Sequence, residues 1–208
     1  MRARLFTSSL FGLLAALSLA SPAWAQLAYD EKGVRVPLEM VAEATLDIDG
    51  DGKMDRAVLI RVGHKNYESE LRIYLGVGDA PLDLANKPTI SMPALADGAV
   101  ERLEVRGRND GKSGGKQSLR VAWGCGGCSN DVEKAITIVH RGGEFLVGGY
   151  SLDWDARYGS GHCDINFFTG RGVASKNGGR QHAVKGTFKP VKLAAWNEDM
   201  EPQKACNF

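Results

Sequence analysis

Hydrophobic side chains recur at every second position along most of this chain, which is the spacing of strands with one buried face. Leu71, Ile73 and Leu75 lie on one side of such a stretch, with Arg72 and Tyr74 on the other. Leu103 and Val105 alternate with Glu104 and Arg106, and Leu119, Val121 and Trp123 form another one-sided set. Ile136 and Ile138 alternate with Thr137 and Val139, a mixture that predicts cover on both faces. Phe145 with Val147, Ile165 with Phe167, and Val184 through Gly186 to Phe188 continue the period. Turn residues separate these runs. Arg141-Gly142-Gly143 predicts a tight hairpin, because glycine supplies the positive φ that such turns need. Residues 111–116 read as a polar loop, and Pro81, Pro88 and Pro93 as punctuation of an irregular connection. Only residues 38–44 carry helical spacing, so one short helix is expected there. The expected fold is a single all-β domain of antiparallel strands: a sandwich, a barrel or a propeller-like sheet assembly.

Composition agrees with that pattern. Glycine supplies 26 of 208 residues, above the usual ~7%, and glycine suits turns far better than helices. The N-terminus changes the compartment. Arg2 and Arg4 precede an apolar run over residues 10–17, and Ala23-Trp24-Ala25 places small residues around a bulky one. Basic start, apolar middle and small-x-small end predict a secretory signal peptide over residues 1–25, with a mature chain from about Gln26. The apolar run falls short of the ~20 residues that a membrane span needs, and no later stretch reaches that length. Without the leader, 26 Lys and Arg against 25 Asp and Glu becomes 24 against 25. A near-neutral mature chain gives no electrostatic reason to expect a nucleic-acid partner. The expected location is secreted or periplasmic, and 183 residues suffice for one domain with a real core.

The sharpest chemistry lies in Asp47-Ile48-Asp49-Gly50-Asp51-Gly52-Lys53-Met54-Asp55. Carboxylates stand at the first, third, fifth and ninth positions, with glycine at the sixth. Calcium takes six to eight hard oxygens at about 2.3–2.6 Å. Asp47, Asp49, Asp51 and Asp55, with the Lys53 carbonyl, are the expected ligands of one structural Ca2+, and Gly52 is expected to make the turn. Four carboxylates in one loop repel one another unless a cation sits among them. Magnesium suits such a cage less well, because it keeps its waters. An EF-hand is excluded: its twelfth position requires a bidentate glutamate, and Val58 stands there. The exit, residues 56–62, is an apolar β-branched run that predicts a buried strand in place of a helix.

Ala44-Thr45-Leu46, the Asp-x-Asp-x-Asp-Gly-x-x-Asp loop and Ala57-Val58-Leu59 together resemble the calcium loop of FG-GAP and VCBS repeat proteins. The resemblance covers residues 44–62 and one copy of the loop. It implies a calcium-binding hairpin between strands, with Asp47, Asp49, Asp51, Asp55 and the carbonyl of Lys53 as ligands.

Four cysteines all lie in the C-terminal half. In an exported chain an even count suggests disulfides before metal. Of three connectivities, Cys125–Cys128 with Cys163–Cys206 is the expected one. Cys125-Gly126-Gly127-Cys128 also has the spacing of a thiol–disulfide redox site, but such sites open a helix that lowers the thiolate pKa, and only residues 129–134 are available for one. A zinc site from Cys125, Cys128, Cys163 and His162 has loose spacing.

Two motifs nearly fit. Residues 107–113 resemble a phosphate-binding loop but have three residues between the glycines where four are required. Gly159-Ser160-Gly161-His162 puts a serine near a histidine without forming a nucleophile elbow. Asp153, Asp155, His162 and Asp164 make this segment rich in titratable groups, and Trp154 and Tyr158 could stack on a sugar or peptide. His64, His140 and His182 are scattered. The expected function is a calcium-binding envelope module with a protein or carbohydrate ligand, more an accessory than an enzyme. The alternatives are a secreted hydrolase using residues 153–164 and a thiol–disulfide oxidoreductase using Cys125 and Cys128.

Overall fold

The computed structural model describes residues 27–29, 35–62, 68–97, 100–107, 116–125, 130–197, 200 and 202–206. The expected leader, Cys128 and most of the phosphate-loop look-alike lie outside the described residues. No helix among the described residues is long and apolar enough to cross a membrane.

The chain is all-β and builds two antiparallel sheets. The first is a meander of β1 (Leu27–Tyr29), β2 (Arg35–Leu46), β3 (Asp55–Val62), β4 (Glu68–Tyr74) and β5 (Ile90–Asp97) in sequence order. The second runs from β6 (Val100–Arg106) through β7 (Ser118–Cys125), β8 (Asn130–Arg141), β9 (Glu144–Ala156), β10 (Gly159–Asn166) and β11 (Arg171–Lys176) to β12 (His182–Val184). A short β13 (Val191–Lys192) pairs with the start of β9. A 3-10 turn at Leu193–Ala195 and a helical turn at Pro202–Ala205 follow. Among the described residues every strand pair is a neighbour in sequence except β9 with β13, although residues 75–89 and 107–117 make the β4–β5 and β6–β7 connections longer than a hairpin turn. The β8–β9 turn is the expected one: Gly142 and Gly143 have φ of 61° and 80°, the two positive values that a tight hairpin matched to strand twist requires.

Alternation explains the core. Ala44, Leu46, Ala57, Leu59, Leu71 and Ile73 from the first sheet join Leu119, Val121, Ile136, Ile138, Val147 and Ile165 from the second in one buried cluster. Each such leucine or isoleucine stabilises the fold by about 1.5–3 kcal/mol relative to exposure. The opposite face of β3 is covered too. Val58, Ile60, Tyr74 and Leu84 form a second, smaller cluster, so Tyr74, expected on a polar face, is 3% exposed. The connection after β4 supplies the cover through Leu84.

Two expectations are corrected. Residues 38–44 are not helical; they lie within β2. A bulge between Met40 and Ala42 inserts one residue into the pairing with β3. Leu38 packs with Val58 and Ile60 on the outer cluster, whereas Val41 and Ala42 pack on the central core. That one-residue insertion breaks period two and leaves apolar residues at helical spacing. Pro93 lies inside β5, not in an irregular connection. β5 is the last strand of its sheet, where proline is tolerated because its missing N–H faces no partner.

A disulfide joins Cys163 on β10 to Cys206, as expected. Both cysteines are buried. The bond pins the C-terminal turn beside an aromatic cluster in which Phe167 stacks on Phe188 and lies against Trp196.

Candidate metal centre

The acidic loop connects β2 to β3, as the buried exit strand predicts. Leu46 pairs with Asp55 at the base of the hairpin. Ile48, inside the loop, is fully buried in the central core and anchors the loop to the body of the domain. Gly50 and Gly52 take φ of 78° and 85°, so the turn expected at Gly52 is made there, with Gly50 sharing it. In this conformation a β-carbon would be strained.

The carboxylates of Asp47, Asp49 and Asp55 offer oxygens that all lie within 4.8 Å of one another. Backbone amides hold them in place. Asp47 accepts from the N–H groups of Gly50 at 2.8 Å and Gly52 at 3.1 Å. Asp55 accepts from Ile48 at 2.9 Å and Gly76 at 2.7 Å, and Asp49 accepts from Asp51 at 3.0 Å. A carboxylate oxygen has two lone pairs, so an oxygen that takes an N–H can still face a cation. Asp55 is fully buried. Burial pushes its carboxyl up from the ordinary aspartate value, and the charges of Asp49 and Asp47 push the same way against the hydrogen bonds from Gly76 and Ile48.

Asp51 stands apart from this cluster. Its carboxylate accepts the Lys53 N–H at 2.7 Å and lies 3.8 Å from the Lys53 ammonium. An Asp side chain bonded to the amide two residues on is a local turn device. The geometry thus brings together three of the four expected aspartates.

Other anchors were not foreseen. Gln117, directly before β7, is 8% exposed. Its side-chain oxygen accepts the Asp47 N–H at 2.8 Å, and its own N–H donates to the Asp47 carbonyl at 3.0 Å. Gly76 reaches Asp55 from the β4–β5 connection. The loop is therefore tied to two connections, one in each sheet. Nothing in the spacing around Gln117 marks it, because its partner is 70 residues away.

The segment 153–164 forms the β9–β10 hairpin and lines a concavity of about 570 Å³. His162 faces Asp153 directly across the two strands, with Nδ1 2.5 Å from Oδ1. Trp154, Asp155 and Ser160 also line this concavity; Asp164 lines a neighbouring one. Tyr158, at the hairpin tip, is 88% exposed with the Arg157 guanidinium 5.6 Å from its ring. The outer face of the large sheet is otherwise matched in charge. Arg120, 7% exposed, bonds Glu104, Glu133 and Ser151 on three different strands.

The cysteine alternatives lose ground on the same geometry. Cys163 and Cys206 share a disulfide and Cys125 is disulfide-bonded, so the sulfurs expected for zinc are not thiolates. Cys125 ends a strand, and β8 opens at Asn130; the helix that a redox site would use is not formed by the described residues.

Comparison with protein-family models, with curated proteins and with solved structures finds no match to this chain. The resemblance to FG-GAP and VCBS loops therefore rests on residues 44–62 themselves.

Proposed function

We propose that this chain is a secreted or periplasmic calcium-binding β-domain, in which the ion is a structural part of the β2–β3 loop and the domain serves as an interaction or accessory module of the envelope. One observation carries the reading: Asp47, Asp49 and Asp55 present hard oxygens within 4.8 Å of one another. Hard anionic oxygens suit calcium, which also tolerates irregular cages. The buried Asp55 carboxylate adds weight, because a charge out of water calls for a counter-charge or dense hydrogen bonding. The FG-GAP and VCBS resemblance points to the same ion.

An ion there would hold three carboxylates whose backbone partners lie in the loop itself and the β4–β5 connection, while the Asp47 backbone meets the residue before β7. Occupancy would therefore stiffen one end of the domain, not the loop alone. Export is supported by the leader-like N-terminus, and a buried disulfide accords with an oxidising compartment. The exposed Tyr158 beside Arg157 offers the aromatic and guanidinium groups that protein interfaces favour, and it is the candidate contact for a protein or carbohydrate ligand.

Thermal melting with excess calcium and with EDTA tests the reading. At a calcium concentration of about 100 times Kd, binding adds about 2.7 kcal/mol. For a domain of this size that raises Tm by about 5–10 °C. Superimposable melts would contradict a structural ion.

A further inference from the structure

The concavity on the large sheet holds an arrangement that no single segment of sequence displays. His162 on β10 pairs with Asp153 on β9 on one side and with Ser175 on β11 on the other. Residues directly opposite on neighbouring antiparallel strands share a face, with Cβ atoms about 4.5–5.5 Å apart. Asp153, His162 and Ser175 thus form one row across three strands, and all three line the same concavity. The dyad is accessible, with side-chain exposures of 42% for His162 and 46% for Asp153.

We propose that this row is an acyl-ester hydrolase centre, with Ser175 as nucleophile, His162 as general base and Asp153 as the group that orients the imidazole. The proposal goes beyond the calcium reading and is independent of it, since the row lies wholly in the other sheet. Asp153 accepts from Nδ1–H, which fixes the tautomer and leaves Nε2 with its lone pair. The two ring nitrogens point away from each other. With Nδ1 engaged by Asp153 on β9, Nε2 is the nitrogen left to serve a partner, and Ser175 is the neighbour of His162 on the other side, on β11. The serine hydroxyl makes no hydrogen bond among the described residues and is free to rotate into line; such contacts are often loose before substrate binds.

The chemistry balances with water as co-reactant. As Ser175 Oγ bonds to the acyl carbon, its proton passes to His162 Nε2. The ester C–O bond breaks and the departing alkoxide takes that proton, leaving acyl-Ser175 and an alcohol. Water then adds to the acyl carbon, giving a proton to Nε2. The bond to Oγ breaks, Oγ recovers the proton, and a carboxylic acid leaves. The concavity selects the substrate by charge. Asp131, Glu133, Asp153 and Asp155 line it with Arg102, and Arg102 and Arg120 both hold Glu133, so the other three carboxylates set the sign: esters with neutral or cationic groups fit and anionic ones are repelled.

The test is labelling of the whole protein with an uncharged fluorophosphonate, read by peptide mass spectrometry, with p-nitrophenyl acetate hydrolysis in parallel. The expected result is one adduct, on Ser175. S175A should abolish both adduct and turnover. H162A should slow both by about 100-fold or more, and D153N should slow them as well. Melting of each variant within about 2 °C of the parent shows that folding is intact; for a variant that melts lower, labelling of the parent in competition with substrate gives the same reading. No adduct, an adduct confined to another residue, or labelling unchanged in a folded H162A would overturn the proposal.

Discussion

Two acidic regions of this molecule manage their charge in opposite ways. In the Asp47–Asp55 loop the carboxylates are held by six backbone N–H groups, five from residues 48–53 and one from Gly76, and among the described residues the cationic side chain within ion-pair distance is that of Lys53, at the exposed Asp51. On the outer face of the large sheet the carboxylates are matched by arginines: Arg102 reaches Glu104 on its own strand and Glu133 on β8, and Arg120 reaches the same two from β7. A network of opposite charges is complete in itself. A set of carboxylates served only by amide dipoles still carries its net negative charge, and a cation is the natural complement. That difference favours a cation in the first region and not over the Arg102 and Arg120 network of the second.

The comparison breaks most severely at Asp55. Asp55→Ala strips the acceptor from two amides, Ile48 and Gly76, next to a fully buried isoleucine. The unsatisfied buried Ile48 donor costs about 1–3 kcal/mol and the part-buried Gly76 donor adds less, so a loss of about 3 kcal/mol is expected in urea unfolding without calcium. An unchanged midpoint would mean that water serves those amides equally well.

Arg120→Ala is the matching cut in the large sheet. It removes bonds to Glu104, Glu133 and Ser151. The two glutamates remain about one-third exposed, which tempers the cost, and about 2 kcal/mol is expected. Raised salt should lessen the difference from the parent, because it screens the repulsion left behind. A salt-independent loss would point to lost packing of the guanidinium and not to charge.

Asp51→Ala should do least. Its carboxylate serves one exposed amide and one exposed lysine, and exposed pairs of this kind contribute about 0.2–1 kcal/mol. Calcium-free stability should fall by less than about 1 kcal/mol. A loss as large as that of Asp55→Ala would show that Asp51 turns inward in solution.

The same contrast explains what could be read from the chain. The acidic cluster was legible because its aspartates lie within nine residues and glycine, aspartate and the β-branched exit strand each act locally. Asp51 lies outside that cluster because its carboxylate caps the Lys53 N–H, a local choice that the spacing of the aspartates does not display. The sheet face was not legible, because Asp153, His162 and Ser175 meet through register. A single bulge, such as the one between Met40 and Ala42, reverses the faces of everything beyond it. That bulge also turned residues 38–44 into a false helix. Tyr74 was placed outside for a related reason: the Leu84 segment that covers it comes from a connection with no periodic signal.

Isothermal titration of the metal-free protein with calcium tests the central claim most directly. The expected isotherm has one ion per chain and a Kd of about 10⁻⁴–10⁻³ M. Asp49→Ala should weaken it at least about tenfold while leaving the fold intact, since Asp49 accepts only the exposed Asp51 amide. Absence of binding heat at millimolar calcium, or an identical isotherm in Asp49→Ala, would contradict a calcium ion among these three aspartates.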